Sequence, residues 1–373
     1  MKILVAPDSF KGSASSRELC DIIEQALAER VPHAQVRKMP MADGGEGTVE
    51  ALVLATGGRF CTASVTGPMG APVSAVFGVL GDGKTAVLEM AAASGLPLVP
   101  PAQRDVYTAS SVGTGELIRA ALGEGCRSFL MGIGGSATNE GGAGMLQALG
   151  FGLLDASGNA IAPGARGLAA LRRITRDGVD PRLDGCTFRI ACDVDAPLCG
   201  PRGASAVFGP QKGARLSDMV ELDGILRRFG DILERDFGRA VAEIPGAGAA
   251  GGMGAGLMAC LDARLMPGFA LVCEESGFER ALRSADLLIT GEGQMNAQSL
   301  MGKLPVEAAK LAALHGVRAV AIVGCKGVGA EEAERCGFSQ VVELMQPGIT
   351  AEYSMAHVRE LVTKAVWSLT LSE

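Results

Sequence analysis

Strand–helix alternation occurs at both ends of this chain and is missing from its middle, and that constrains the fold more than any motif does. Residues 2–6 form an aliphatic run that ends at Pro7, Asp8 and Ser9. A helix follows, capped by Ser13 or Ser15, with Leu19, Ile22, Ile23, Ala26 and Leu27 at helical spacing. Residues 35–39 read as a second strand and 48–54 as a second helix. After Gly57 and Gly58 the pattern changes: 62–65, 73–80 and 85–90 alternate with turn residues between them, which predicts antiparallel strands. From about residue 284 the rhythm returns, with strands at 286–290, 319–324 and 340–344, helices near 305–315 and 329–336, and a last helix over 351–369. Two strands at the start and three at the end predict one doubly wound parallel sheet built from 1–58 and 284–373, with 59–283 inserted as a mixed α/β domain. That layout puts the ligand cleft between the two domains.

Glycine makes up 53 of the 373 residues, about twice its usual share. With no collagen-like period, the excess belongs in turns and loops. The run Gly-Ile-Gly-Gly-Ser-Ala-Thr-Asn-Glu-Gly-Gly-Ala-Gly at 132–144 follows an apolar strand and sets Ser136, Thr138 and Asn139 within bare backbone. Glycines such as Gly134 and Gly135 let main-chain N–H groups approach an anion, and a helix start beyond them adds partial positive charge. Ala-Asp-Gly-Gly-Glu-Gly-Thr at 42–48 and Thr-Gly-Glu-Gly at 290–293 repeat the arrangement with acids embedded, which points to a nucleotide and metal site. One apparent phosphate loop fails on context. Residues 78–85 fit G-x-x-x-x-G-K-[ST], but an alternating run follows Lys84 where a helix should open, so Asp82 and Gly83 read as a hairpin turn.

The net charge of −7 argues against a nucleic-acid partner. Three histidines without ligand spacing argue against zinc. Ten scattered cysteines with no C-x-x-C point to a reducing compartment. The uncharged stretch at 244–261 is broken by glycines and Pro245, so it reads as a loop feeding a small-residue helix rather than a membrane span. The expectation is a soluble cytoplasmic protein with no membrane partner.

Taken together, Ala-Pro-Asp-Ser-Phe-Lys-Gly at 6–12, Met-Ala-Asp-Gly-Gly-Glu-Gly-Thr at 41–48 and Gly-Ile-Gly-Gly-Ser-Ala-Thr-Asn at 132–139 resemble the bacterial type I glycerate kinases. So do Ala-Cys-Asp-Val at 191–194, Phe-Gly-Pro-Gln-Lys-Gly at 208–213, Pro-Gly-Ala-Gly-Ala-Ala-Gly-Gly at 245–252 and Thr-Gly-Glu-Gly at 290–293, in the family's order. The resemblance implies ATP-dependent phosphorylation of D-glycerate, at the 2-hydroxyl, with Mg2+. It also implies a discontinuous flavodoxin-like domain and a restriction-enzyme-like insert. Where the family reads Gly-Glu-Gly-Arg-Ile-Asp, this chain has Gln294 and Asn296 in place of the arginine and the aspartate. An amide neither accepts a proton nor offers charge to magnesium, so a same-fold binder with little turnover stands as the alternative function.

A sugar-acid kinase needs a base, metal ligands, cations around the phosphoryl group and a seat for the carboxylate. Asp193, just past a strand, is the first choice for the base. Asp43 and Glu46 follow the second strand and are assigned to metal or substrate hydroxyls; Asp8 and Ser9 hold the equivalent point after the first, where Asp8 could equally cap the helix. Glu292 is placed beside magnesium, with Glu46 as its partner ligand. Lys11, Lys303 and Lys212 are the candidate cations, and Gly134, Gly135, Ser136, Thr138 and Asn139 the candidate seat for phosphate or glycerate. A homodimer is left open.

Overall fold

The computed structural model describes Met1–Leu371. Among these residues the strands are β1 (Lys2–Val5), β2 (Gln35–Lys38), β3 (Arg59–Thr66), β4 (Pro72–Val79), β5 (Thr85–Glu89), β6 (Ser128–Gly132) and β7 (Gly152–Leu154). They continue with β8 (Arg173–Thr175), β9 (Thr187–Ala191), β10 (Arg264–Met266), β11 (Leu287–Met295), β12 (Arg318–Lys326) and β13 (Phe338–Glu343). The chain divides into two compact units, one made of Met1–Gly57 with Pro267–Glu373 and the other of Gly58–Met266.

The first unit holds a five-stranded, all-parallel sheet in the order β13-β12-β11-β1-β2. Helices cover both faces, as an all-parallel sheet requires. Val320 and Ile322 of β12 pack with Ile3, Val5, Leu19, Ile23 and Val362, while the alternate residues Ala321 and Val323 pack with Val306, Ala330 and Ala333. The first helix, Ser16–Arg30, is capped by Ser15, whose hydroxyl accepts from Glu18 N while the Glu18 carboxylate accepts from Ser15 N.

Three details differ from the sequence expectation. The helices Gly268–Ser276 and Phe278–Leu282 belong to the first unit and not to the insert, so the insert ends at Met266 rather than at 283. Phe269 meets Phe278 edge-on at 5.9 Å, and the former helix packs on Thr48–Thr56. The expected last helix is two, Ala351–Ala356 and Val358–Ser368, broken at His357, whose ring stacks on Tyr353 at 3.9 Å. Thr-Gly-Glu-Gly at 290–293 is not a loop after a strand, because β11 runs on through it to Met295. Gly291 pairs with Ile322 so closely that a Cβ there would strike the Ile322 carbonyl.

The second unit carries a six-stranded mixed sheet in the order β10-β9-β6-β5-β4-β3, parallel from β10 to β5 and antiparallel from β5 to β3. Phe129 and Phe188, paired across β6 and β9, stack at 4.7 Å within its core. The phosphate-loop look-alike is the β4–β5 hairpin: Asp82 accepts from Lys84 N, Thr85 N and Thr85 Oγ1. The stretch at 244–261 leads into a helix, Ala249–Leu261, whose first turns contain left-handed Ala250, Gly251 and Gly252. No helix among the described residues is long and apolar enough to cross a membrane.

Candidate functional site

Open parallel sheets bind ligands beyond the carboxyl ends of their strands, where neighbouring connections run in opposite directions. In the first unit that point lies between β1 and the central strand β11. A cavity of about 360 Å³ opens there. Seven of the candidate site residues line it: Asp8, Ser9, Lys11, Asp43, Glu292, Asn296 and Lys303. Each comes from the carboxyl end of a strand or the loop beyond it.

Asp8 follows β1 and is buried, its Oδ1 accepting from Ser9 N at 2.7 Å. Burial, and then the charge of Asp43, push its carboxyl up to about 7, although Lys11 pulls the other way. Glu292 is buried as well; its Oε1 accepts from Ser299 Oγ at 2.6 Å, and Lys303 Nζ stands 3.9 Å from its Oε2. Desolvation raises this carboxyl more than Ser299 and Lys303 lower it. The buried hydroxyl of Ser9 has no hydrogen-bond partner among the described residues. Asp8 and Glu292, both raised by burial and by the charge of Asp43, with an unpaired hydroxyl beside them, form a donor set that a hard cation would relieve. No three acids among the described residues converge tightly enough to enclose a metal unaided. Magnesium does not ask for that, since it takes one or two carboxylates and fills its shell with water and phosphate oxygens.

Asn296 has an architectural task. Its Oδ1 accepts from Gln298 N at 2.8 Å and its N–H donates to Ser299 Oγ, capping the short turn Ala297–Leu300 that presents Ser299 to Glu292. Asparagine and aspartate cap almost equally well. Glu46 departs from expectation: it is exposed and does not line the cavity. The turn that brings in Asp43 through its Oδ1–Gly45 N bond leaves Glu46 on the solvent side, just ahead of the left-handed Gly47.

In the second unit the glycine-rich segment follows β6 as anticipated, but the start of the helix Ala143–Ala148 is already occupied from within. The fully buried Glu140, overlooked in the sequence, accepts from Ser111 N, Ser111 Oγ, Ser110 Oγ and Gly144 N through Oε1, and from Gly164 N through Oε2. Burial pushes its carboxyl upward against these donors. The expected anion seat at that helix start is thus filled by the protein's own carboxylate. Several glycines here serve close packing instead: Gly141 N donates to Gly251 O, and a Cβ on Gly251 would strike the Thr138 carbonyl. Gly134 and Gly135 stay exposed.

Lys212, expected as a cation near phosphate, is only 2% exposed and donates to Ser136 Oγ and Thr138 O, each at 2.7 Å. Burial brings its ammonium down to about 7. Thr138 Oγ1 and Asn139 Oδ1 are buried without partners among the described residues, while Asn139 Nδ2 donates to Ser205 Oγ. Asp193 stands exposed just past the end of β9.

With this geometry in hand, comparison with known proteins is specific. The model of the glycerate kinase family matches residues 3–371. The glycerate kinase of Bacillus subtilis (strain 168) is 45% identical over 372 residues, covering 100% of this chain and 97% of its own. The glycerate 2-kinase of Escherichia coli (strain K12) is 50% identical over 324 residues, 87% of this chain and 85% of the relative. A crystal structure described as a candidate glycerate kinase 2 from Salmonella typhimurium LT2 superposes with a TM-score of 0.89 at 46% identity, over 98% of this chain and 96% of that one. The chain belongs to the glycerate kinase family.

Proposed function

We propose that this protein transfers the terminal phosphoryl group of ATP to the 2-hydroxyl of D-glycerate, with Mg2+ as the attendant cation. The observation that carries the reading is the grouping of Asp8, Asp43 and Glu292 with Lys11 and Lys303 in one cavity at the switch point of a parallel sheet. Phosphoryl transfer asks the protein for positioning and charge stabilisation rather than covalent chemistry, and this set of groups can supply both. Identity of 50% to a glycerate 2-kinase supports the 2-hydroxyl as acceptor.

Glu292, with Asp8 or Asp43, would hold magnesium, which when bound neutralises charge on the phosphate oxygens. Lys11 and Lys303 are the cations proposed to stabilise the transferring group. Asp193 is the proposed acceptor of the hydroxyl proton, and the exposed backbone of Gly134 and Gly135 the proposed seat for glycerate, because Ser136 is engaged by Lys212 and Thr138 and Asn139 are buried. The order β13-β12-β11-β1-β2 supports the flavodoxin-like assignment, and the mixed sheet is compatible with a restriction-enzyme-like insert. Ten free cysteines support a cytoplasmic setting.

The test is magnesium-dependent ADP release with D-glycerate, for the chain and for Asn296→Asp side by side, with the product identified by phosphorus NMR. Because Asn296 acts as a cap, both proteins are expected to turn over and to give 2-phosphoglycerate. Silence in both folded proteins would sink the reading. Turnover only in the aspartate form would instead establish the low-turnover alternative.

A further inference from the structure

The cavity in the first unit is chemically lopsided, and strand order explains why. Its acids arrive from β11 and from the loops after β1 and β2, on one side of the sheet. The lining contributed by β12, β13 and the segments beyond them carries no charge: Cys325, Leu344, Met345, Ala351, Met355 and Val358 dominate it. Between the two sides the floor is bare backbone. Gly293 and Gly324 lie abreast on β11 and β12, so close that a Cβ on Gly324 would strike the Gly293 carbonyl. At this point of the lining the two strands offer main chain alone, with the Phe10–Lys11 backbone next to Gly293. Methionine thioethers pack well against aromatic faces, and Met355 is held over this region by its own backbone, whose carbonyl accepts from Ser13 Oγ at 3.0 Å. Cavities of roughly 300–1,000 Å³ accept cofactor-sized molecules, so there is room here for more than a phosphate chain and its cation.

We propose that the apolar side of this cavity, formed by Leu344, Met345, Ala351, Met355 and Val358, is the seat of the nucleobase of the phosphoryl donor, with Gly293 and Gly324 as the floor. The inference rests on the kinase reading above and adds to it a direction. The base points toward β13 and the phosphates cross the glycine floor toward Asp8, Glu292 and Lys303. Contact on this side is mainly apolar, so affinity for the base comes from burying a planar ring rather than from a charged partner.

Calorimetric titration of Mg2+-ADP and of Mg2+-pyrophosphate separates the base from the phosphates without requiring turnover. Ala351 is exposed at the first turn of its helix, so Ala351→Leu narrows the apolar side without disturbing the fold. It is expected to weaken ADP by about tenfold or more while leaving pyrophosphate within about twofold. Met355→Ala, which removes half-exposed packing, should move ADP in the same direction by less. An equal change for both ligands, no change for either, or weakened D-glycerate with unaltered ADP would each overturn the proposal. If ADP binds as described and D-glycerate is never phosphorylated, the acceptor reading fails and the nucleobase seat stands.

Discussion

Burial and the neighbouring carboxylates of Asp43 and Glu292 both disfavour the ionised form of Asp8, and this has a consequence for stability that is independent of catalysis. Its carboxyl is raised from 3.8 to about 7, so between those values the native state binds a proton that the unfolded chain has released. The contribution is fully present below 3.8 and is lost as pH rises through about 7. Asp8→Asn has no such group to ionise. Relative to the parent, it should therefore gain stability as the pH is raised from about 5 to about 8, read from urea midpoints at both ends. A constant difference across that range would mean that Asp8 ionises in the native state as it does in the unfolded chain. The same residue scale shows what the sequence could and could not disclose. Asp8 and Asp43 were legible because each follows a strand, and Glu292 because it follows an aliphatic run, although that strand continues past it to Met295. Glu140 was not, since its role depends on Ser110, Ser111 and Gly164 arriving from elsewhere in the chain. The burial of Lys212 was equally hidden, as flanking residues say nothing about what covers an ammonium group.

At the scale of elements, the strands were readable from aliphatic runs and their turn residues, and the hairpin at Asp82 from the alternation beyond it. What misled was glycine. Thr-Gly-Glu-Gly at 290–293 has the composition of a loop, yet it is strand, because the neighbouring β12 backbone comes too near for side chains at Gly291. Gly291→Ala should force β11 and β12 apart locally, destabilising the first unit by roughly 2 kcal/mol or more. It should also raise the amide exchange rates of Ile322 and Val323. Normal stability in that variant would mean the strands can part at little cost. The break at His357 was invisible for a different reason: helical spacing persists on both sides of it, and one residue's backbone angle decides the matter.

For the molecule as a whole, the discontinuous layout sets the order in which contacts can form. The second unit is a single continuous segment, whereas β1 must find β11 across the entire insertion, pairing Ile3 with Leu287. Closing so long a loop is entropically slow. In refolding followed by pulsed hydrogen exchange, amides of β5, β6 and β9 should gain protection before those of β1 and β11; simultaneous protection would show that the two units fold as one. The same connectivity matters at the ribosome. β1 emerges well before β11, and β2 can cover one of its edges soon afterwards. Its other edge stays open until synthesis has passed Met295. Until then the nascent chain carries an apolar strand with an unpaired side, the kind of surface that invites mispairing with other chains and engages chaperones. Premature termination upstream of β11 would leave that exposure permanent, so truncated products should be cleared or aggregate rather than persist as partial enzymes.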